Sequence, residues 1–561
     1  MPSRHPKQRI RNDFTLGRGA AEHDGQFLDA FYETWLYRAI LSKEDERCFI
    51  IGRTGSGKSA LFRQLEIDQR EHLIRLIPED LALTYITETQ AIQFLKALNV
   101  HLDSLFIALW KHVLIIEIIK HRYRVDSLDA KQRFMALLME KIKRDRSKQE
   151  ALKYLEEFEG KFWQETDKRV TEIIEKFESQ VKAEAGGKLA AGIGALSLNG
   201  GDSSTESTER RSELVNRFQR LINETQIPRL NKMERVLNED ILDNVQHYTY
   251  IVIDDLDRDW ADQEVINDLI RCLFRAVSDL NRVANLKIIV ALRTNIFEAL
   301  DFGRTGGQEE KFRDVSHHIK WTKHELRELL DNRAVLAAGR HGLGNISSVA
   351  DLLPRMNDKR KDPLDYVLNR TLLRPRDAII FLNKCFERAN GKEKLTWNGI
   401  KTAESEYSKD RLLALRDEWK PTFPGIDQVF KKFSGSPHTL DWKEMEARLV
   451  ECALLIADQE YIGRAWLESI SEPMYLASSS DDPTIACQGL VRLLHNLGFI
   501  GCIVSNPDTY DPTVMVDDPA IYNYDDPSFP DHISNLRSVT GFTVHPAFRP
   551  ALDIRDAEVY R

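Results

Sequence analysis

The run Gly52-Arg53-Thr54-Gly55-Ser56-Gly57-Lys58-Ser59 satisfies the pattern GxxxxGK[ST] at every fixed position. Residues of these types at this spacing capture polyphosphates. Glycines let successive backbone N–H groups turn inward around phosphate oxygens, and a helix beginning near Lys58 adds the positive end of its dipole. Lys58 then neutralises the terminal phosphates, and the Ser59 hydroxyl ligates Mg2+. The stretch expected to contact nucleotide runs from Gly52 through Ala60.

A second string, Tyr250-Ile251-Val252-Ile253-Asp254-Asp255-Leu256-Asp257-Arg258, is an apolar strand ending in carboxylates. Asp254 is the expected Mg2+ residue, usually acting through water. Asp255 is placed to polarise the attacking water, with Asp257 as the competing candidate. A third apolar run, Leu286 to Leu292, ends in Arg293, which would lie near the γ-phosphate and report its presence. Arg374-Pro375-Arg376-Asp377 opens another helix, since proline pre-sets the backbone at a helix start. Arg374 and Arg376 are expected to reach phosphates from that helical lid. The only NKx[DE]-like run, Asn231-Lys232-Met233-Glu234, follows no predicted strand, so the expected cofactors are ATP and Mg2+ rather than GTP.

These residues need elements to hold them. Cys48 to Ile51, Tyr248 to Ile253 and Leu286 to Leu292 read as buried strands, with helix from Ser59 onward and over Val265 to Val283. Strands alternating with helices predict a parallel α/β sheet. Glu22 to Ser42 has helical, amphipathic spacing. The long interval between Lys58 and Asp254 calls for a helical insertion, and from about Asp126 to Glu184 long charged side chains predict a helical hairpin. Gly186 to Gly201 reads as a β-hairpin or mobile loop. After Trp321 the pattern is nearly all helix to about Tyr407. Trp442 to Ala457, Tyr461 to Ile470 and Thr484 to Asn496 read as three helices, and 498–504 and 541–545 as two strands, the outline of a winged helix.

The fold expected is therefore α/β: a parallel-sheet P-loop NTPase core with a helical insertion, a helical lid and a C-terminal winged-helix-like domain. Residues 1–122 hold the N-terminal helix and the first part of the core, and 123–235 the insertion. Residues 236–320 complete the core, 321–419 form the lid and 420–561 the C-terminal domain.

Composition bounds the partners. Hydrophobic residues make up 42% and charged residues 30% of the 561, an ordinary globular balance, and the net charge of −9 supplies no global basic field for nucleic acid. On the helix that would enter a DNA groove only Arg492 and His495 are cationic candidates, and 506–536 carries seven aspartates without Lys or Arg. The six scattered cysteines form no CxxC pair and read as reduced core residues. The apolar stretch Leu102 to Ile119 is interrupted by Lys111, His112 and Glu117, which suits a buried helix better than a spanning one. The N-terminus lacks the apolar core of a secretory signal. A soluble, cytoplasmic protein with no membrane partner is expected.

FIIGRTGSGKSA, IDDLDR, LRPRDAIIFLN, ESEYSKDRLLALRDEW and a late VHPAF occur here in this order. Together they resemble a family of bacterial P-loop ATPases similar to the soluble KAP and STAND-like, AAA+-related NTPases. Many KAP proteins carry transmembrane helices between the two Walker motifs, and this sequence does not. The resemblance implies a nucleotide-driven switch, commonly placed in prokaryotic antiviral defence, working as a homo-oligomer or with a separate effector protein. It also implies an arginine completing the site of a neighbouring subunit, for which Arg258, Arg304 and Arg313 are candidates. A nucleic-acid-acting ATPase of initiator, loader or DNA-remodelling type is the alternative, with nucleic acid the less favoured partner.

Overall fold

The computed structural model describes residues 9–25, 27–78, 102–123, 133, 136–137, 140, 216, 227–256, 263–300, 309–344, 346–355, 362–476, 482–504 and 520–555. The predicted insertion hairpin apart from 133, 136–137 and 140, the glycine-rich stretch after it, and Asp257, Arg258 and Arg304 lie outside the described residues. The chain divides into two compact units, each discontinuous in sequence.

The first unit comprises Trp35–Gly52 and Leu61–His318. It is built on α1 (Trp35–Leu41), β1 (Phe49–Ile51), α2 (Lys58–Asp68) from Leu61 onward, β2 (Leu73–Leu76), α3 (Asp103–Tyr123), α4 (Ile227–Val236), β3 (Thr249–Ile253), α5 (Gln263–Leu280), β4 (Leu286–Leu292) and β5 (Ser316–His318). The strands form one parallel sheet in the order β2-β3-β4-β1-β5. Every residue of β1, β3 and β4 is buried. That is why these strands are continuous apolar runs without alternation: a parallel sheet is covered on both faces. The register sets Ile51 opposite Leu292 and His318, and Ile253 opposite Leu76 and Val290. Gly52, Asp254 and Arg293 therefore all leave the sheet at the carboxyl ends of their strands, where open parallel sheets bind ligands.

The polar residues that interrupt the apolar stretch before 120 are explained by α3. It packs on α5, with the Trp110 indole N–H donating to Leu269 O at 2.8 Å. Lys111, though buried, meets Glu234 at 2.8 Å and Asp279 at 2.9 Å. A buried ammonium requires such partners. Among the described residues no helix is long and apolar enough to cross a membrane.

The single helix expected over Glu22 to Ser42 is instead broken. A 3-10 turn at Ala21–His23 and a short helix at Phe27–Ala30 precede α1, and the backbone is irregular between. The break falls where the chain passes from one compact unit to the other, after Thr34. The C-terminal turn of α1 is held by Lys287 of β4, which donates to Ala39 O, Ser42 O and Asp45 O.

The second unit comprises Met1–Thr34, Arg53–Ala60 and Ile319–Arg561. Its helical part contains α6 (Lys323–Arg340), α7 (Pro363–Leu368), α8 (Pro375–Glu387) and α9 (Trp397–Trp419). Thr322 and Glu325 close a capping box at the start of α6, and Pro375 occupies the first turn of α8. The Phe381 and Tyr407 rings stack at 4.5 Å between α8 and α9.

The C-terminal part has α10 (Trp442–Ala453), α11 (Arg464–Leu476) and α12 (Pro483–Asn496), with strands β6 (Thr439–Leu440), β7 (Ile500–Val504), β8 (Ala520–Ile521) and β9 (Val539–Val544). The antiparallel order is β6-β9-β7-β8. This is the winged-helix-like outline with two more strands than the sequence suggested. Both extra strands are two residues long, too short to register as apolar runs. From 520 the acidic segment supplies β8, a 3-10 turn and the helix Ile533–Arg537.

Candidate functional site

The glycine-rich motif follows β1 directly, and Gly52 N–H donates to Leu292 O at 3.0 Å. Beyond it the loop needs conformations closed to most side chains. Gly55 has φ 81° and Gly57 φ 104°, where a Cβ would be strained. A Cβ on Gly55 would also stand 2.8 Å from Arg376 Cβ. The Lys58 ammonium donates to Arg53 O at 3.2 Å across the loop. Ser59 and Ala60 fall in the first turn of α2.

The outer side of the loop is held by the helical part of the same unit. Thr54 O accepts from Arg374 Nη1 at 3.0 Å, and Ser56 O from Trp321 Nε1 at 2.8 Å. Gly55 O accepts the Arg376 backbone N–H at 3.4 Å. Glu418, near the end of α9, is buried between Arg53 and Arg374, each 3.3 Å away, and accepts the Thr54 N–H at 3.4 Å. Burial pushes the Glu418 carboxyl up, but the two arginines outweigh it and bring it down to about 2. Asp377 and Arg411 form a further buried pair that joins α8 to α9. The two sequence-predicted lid arginines thus touch the loop itself. Arg374 braces a carbonyl and a carboxylate, while the Arg376 guanidinium donates to Gly19 O at 3.0 Å.

Arg53 also meets the end of α9 and the C-terminal part. Its guanidinium lies 5.7 Å from the Trp419 ring centroid. A Cβ on Gly498, in the turn between α12 and β7, would sit 2.9 Å from Arg53 Nη1. His545 of the VHPAF string is fully buried, and burial with Arg549, Arg370, Arg374 and Arg53 around it holds the imidazole well below its usual pKa.

In the sheet unit, Asp254 is buried at the end of β3, and its Oδ1 accepts the Asp255 N–H at 3.0 Å. Asp255 has φ 60° and is half-buried. Arg75 of β2 brings Nη2 to 4.0 Å from Asp254 Oδ2. Arg293 occupies the N-cap position of the short helix Thr294–Ala299 that follows β4, and its side chain makes no capping bond there. A hydroxyl at Ser59 and a carboxylate at Asp254 are hard oxygen donors of the kind Mg2+ takes.

Sequence reasoning missed Trp321, Glu418 and Arg75 as site residues. Glu418 lies in a string already marked as recurrent, which was the one available signal. Trp321 and Arg75 have no motif around them.

A family model for the FunZ-associated C-terminal helical domain matches residues 324–416, the span from α6 to α9. The chain is 23% identical over 518 residues to the transposon gamma-delta 80.3 kDa protein of Escherichia coli (strain K12), covering 88% of this chain and 62% of that protein. It therefore spans less than two thirds of the relative's length. The structure of the Aeropyrum pernix ORC1 protein in complex with DNA aligns over 85% of this chain and 84% of its own, at 13% identity and a TM-score of 0.25.

Proposed function

We propose that this chain is an ATP-binding and ATP-hydrolysing switch of AAA+-related type, whose nucleotide state controls assembly or effector engagement in prokaryotic antiviral defence. The observation that carries the reading is the loop at 52–60, with positive-φ glycines at 55 and 57 and its carbonyls bound from outside. Lys58 neutralises terminal phosphates, and Ser59 and Asp254 would hold Mg2+. The bound metal supplies charge compensation for the transferring phosphoryl group. Asp255 accepts a proton from the attacking water, and Arg293 reads the γ-phosphate. The contacts of Arg53 with α9 and with the Gly498 turn support a switch, because the loop and the winged-helix-like part share a side chain. Partners are a second copy of this chain or a separate effector.

The nucleic-acid-acting alternative draws on the transposon relative. Its groove-entering helix would be α12, where Arg492 is paired with Asp531 at 2.8 Å and His495 is buried. The one exposed cation of α12 already carries a carboxylate and the other is buried, and this favours the switch.

Calorimetry with Mg·ATP tests the reading. Wild type binds, and Lys58→Ala loses binding; unchanged affinity in that variant removes the phosphate-loop assignment.

A further inference from the structure

The outer carbonyls of the loop carry information about its inner amides. A trans peptide points its C=O and the following N–H in opposite directions, and no described peptide bond is cis. The Trp321 indole N–H, 2.8 Å from Ser56 O, therefore turns the Gly57 N–H the other way. Arg374, 3.0 Å from Thr54 O, does the same for the Gly55 N–H. Gly55 and Gly57 are also the two loop residues with positive φ.

Trp321 is itself held. It immediately precedes the capping-box Thr322, which fixes its backbone at the start of α6. The edge of its ring lies 3.7 Å from where a Gly57 Cβ would be, close enough to pack on the loop. The Tyr32 ring lies 6.1 Å away, and the Tyr32 hydroxyl is tied to Glu328 at 2.6 Å. A donor fixed this firmly orients the peptide during folding, so that order need not be imposed when an anion arrives.

We propose that Trp321 is a positioning residue for polyphosphate capture: its indole N–H holds the Ser56 carbonyl outward so that the Gly57 amide is preset for a phosphate oxygen. The proposal rests on the ATP reading above. Trp321 acts on the phosphate tail through the backbone and plays no part in recognising the base.

The test uses the full chain with Mg·ATP and, separately, inorganic tripolyphosphate as calorimetric titrants. Trp321→Phe keeps a ring and removes the donor; both affinities should fall about tenfold, the worth of one hydrogen bond to a preset site. Trp321→His keeps an N–H at the same position of the five-membered ring and should recover most of both. Equal binding by wild type and Trp321→Phe overturns the proposal, as does a loss for ATP without loss for tripolyphosphate. A Trp321→His variant weaker than Trp321→Phe would mark the indole as packing alone and overturn it too. Should Trp321→Phe not fold, hydrogen exchange of the Trp321 indole N–H in the wild type, assigned by its absence in Trp321→His, decides: protection supports the bond and rapid exchange overturns it. Wild type that binds neither titrant sinks the ATP reading instead, a result distinct from all of these.

Discussion

Asp255 occupies a backbone conformation, φ 60°, that few side chains other than Asn and Asp adopt readily. Asn therefore removes its charge without adding strain, which makes Asp255→Asn a clean test of its chemistry. We expect ATP binding to persist while turnover slows at least tenfold, a barrier increase of about 1.4 kcal/mol or more. In parallel, Asp254→Asn should raise the Mg2+ concentration needed for turnover. If Asp257→Asn abolishes hydrolysis and Asp255→Asn does not, the two roles exchange. At this scale the sequence was readable wherever chemistry fixes spacing, as from Gly52 to Ser59. Glu418 and Trp321 were not readable because they meet a loop amide and a loop carbonyl. Backbone groups are present at every position, so nothing in the side-chain pattern announces which one a distant residue will find.

α12 lies where the sequence placed it, but its His495, a cationic candidate in the sequence, is buried. Burial lowers the His495 imidazole from 6.5 to about 4, although its bond to Ile521 O and the charges of Asp526 and Asp531 pull the other way. The folded state thus excludes a proton that the unfolded chain accepts. The associated stability is complete above pH 6.5 and is lost as pH falls from there toward 4. Thermal melting followed from pH 7.5 to 4 should show a steady fall beginning near pH 6.5. His495→Gln, which keeps an amide donor for Ile521 O, should flatten the fall, and an unchanged slope would remove His495 as its source. Glu418 adds a later loss below pH 4.5, because its carboxyl stays ionised in the folded state down to about 2. Among elements, β3 and β4 were legible because burial on both faces demands unbroken apolar runs. The edge strands β2 and β5 were not, since Arg75 and the Ser316-His317-His318 run carry no such signal.

At the scale of the whole molecule, each compact unit is assembled from separate stretches of chain, and the glycine-rich loop Arg53–Ala60 groups with sequence more than 250 residues later. A discontinuity of this kind leaves no mark on composition or periodicity, which report only neighbours in sequence. The cysteines, by contrast, behave as their apolar surroundings suggested: all six are free and buried. Burial pushes the thiols of Cys48, Cys452, Cys487 and Cys502 to about 12, and those of Cys272 and Cys385 also upward. Alkylation requires an accessible thiolate, so the native chain should resist maleimide and become labelled only as it opens. Cys48 and Cys272 belong to the sheet unit, and the other four to its companion. Intact-mass spectra taken along a urea series would therefore carry a built-in tally. A species with two adducts reports that the sheet unit opened first, four adducts that the other unit did, and a direct passage from none to six that the two unfold as one. The protein comes with its own unfolding clock, and any exposed cysteine added for a spectroscopic probe would be the sole site to react on the native chain.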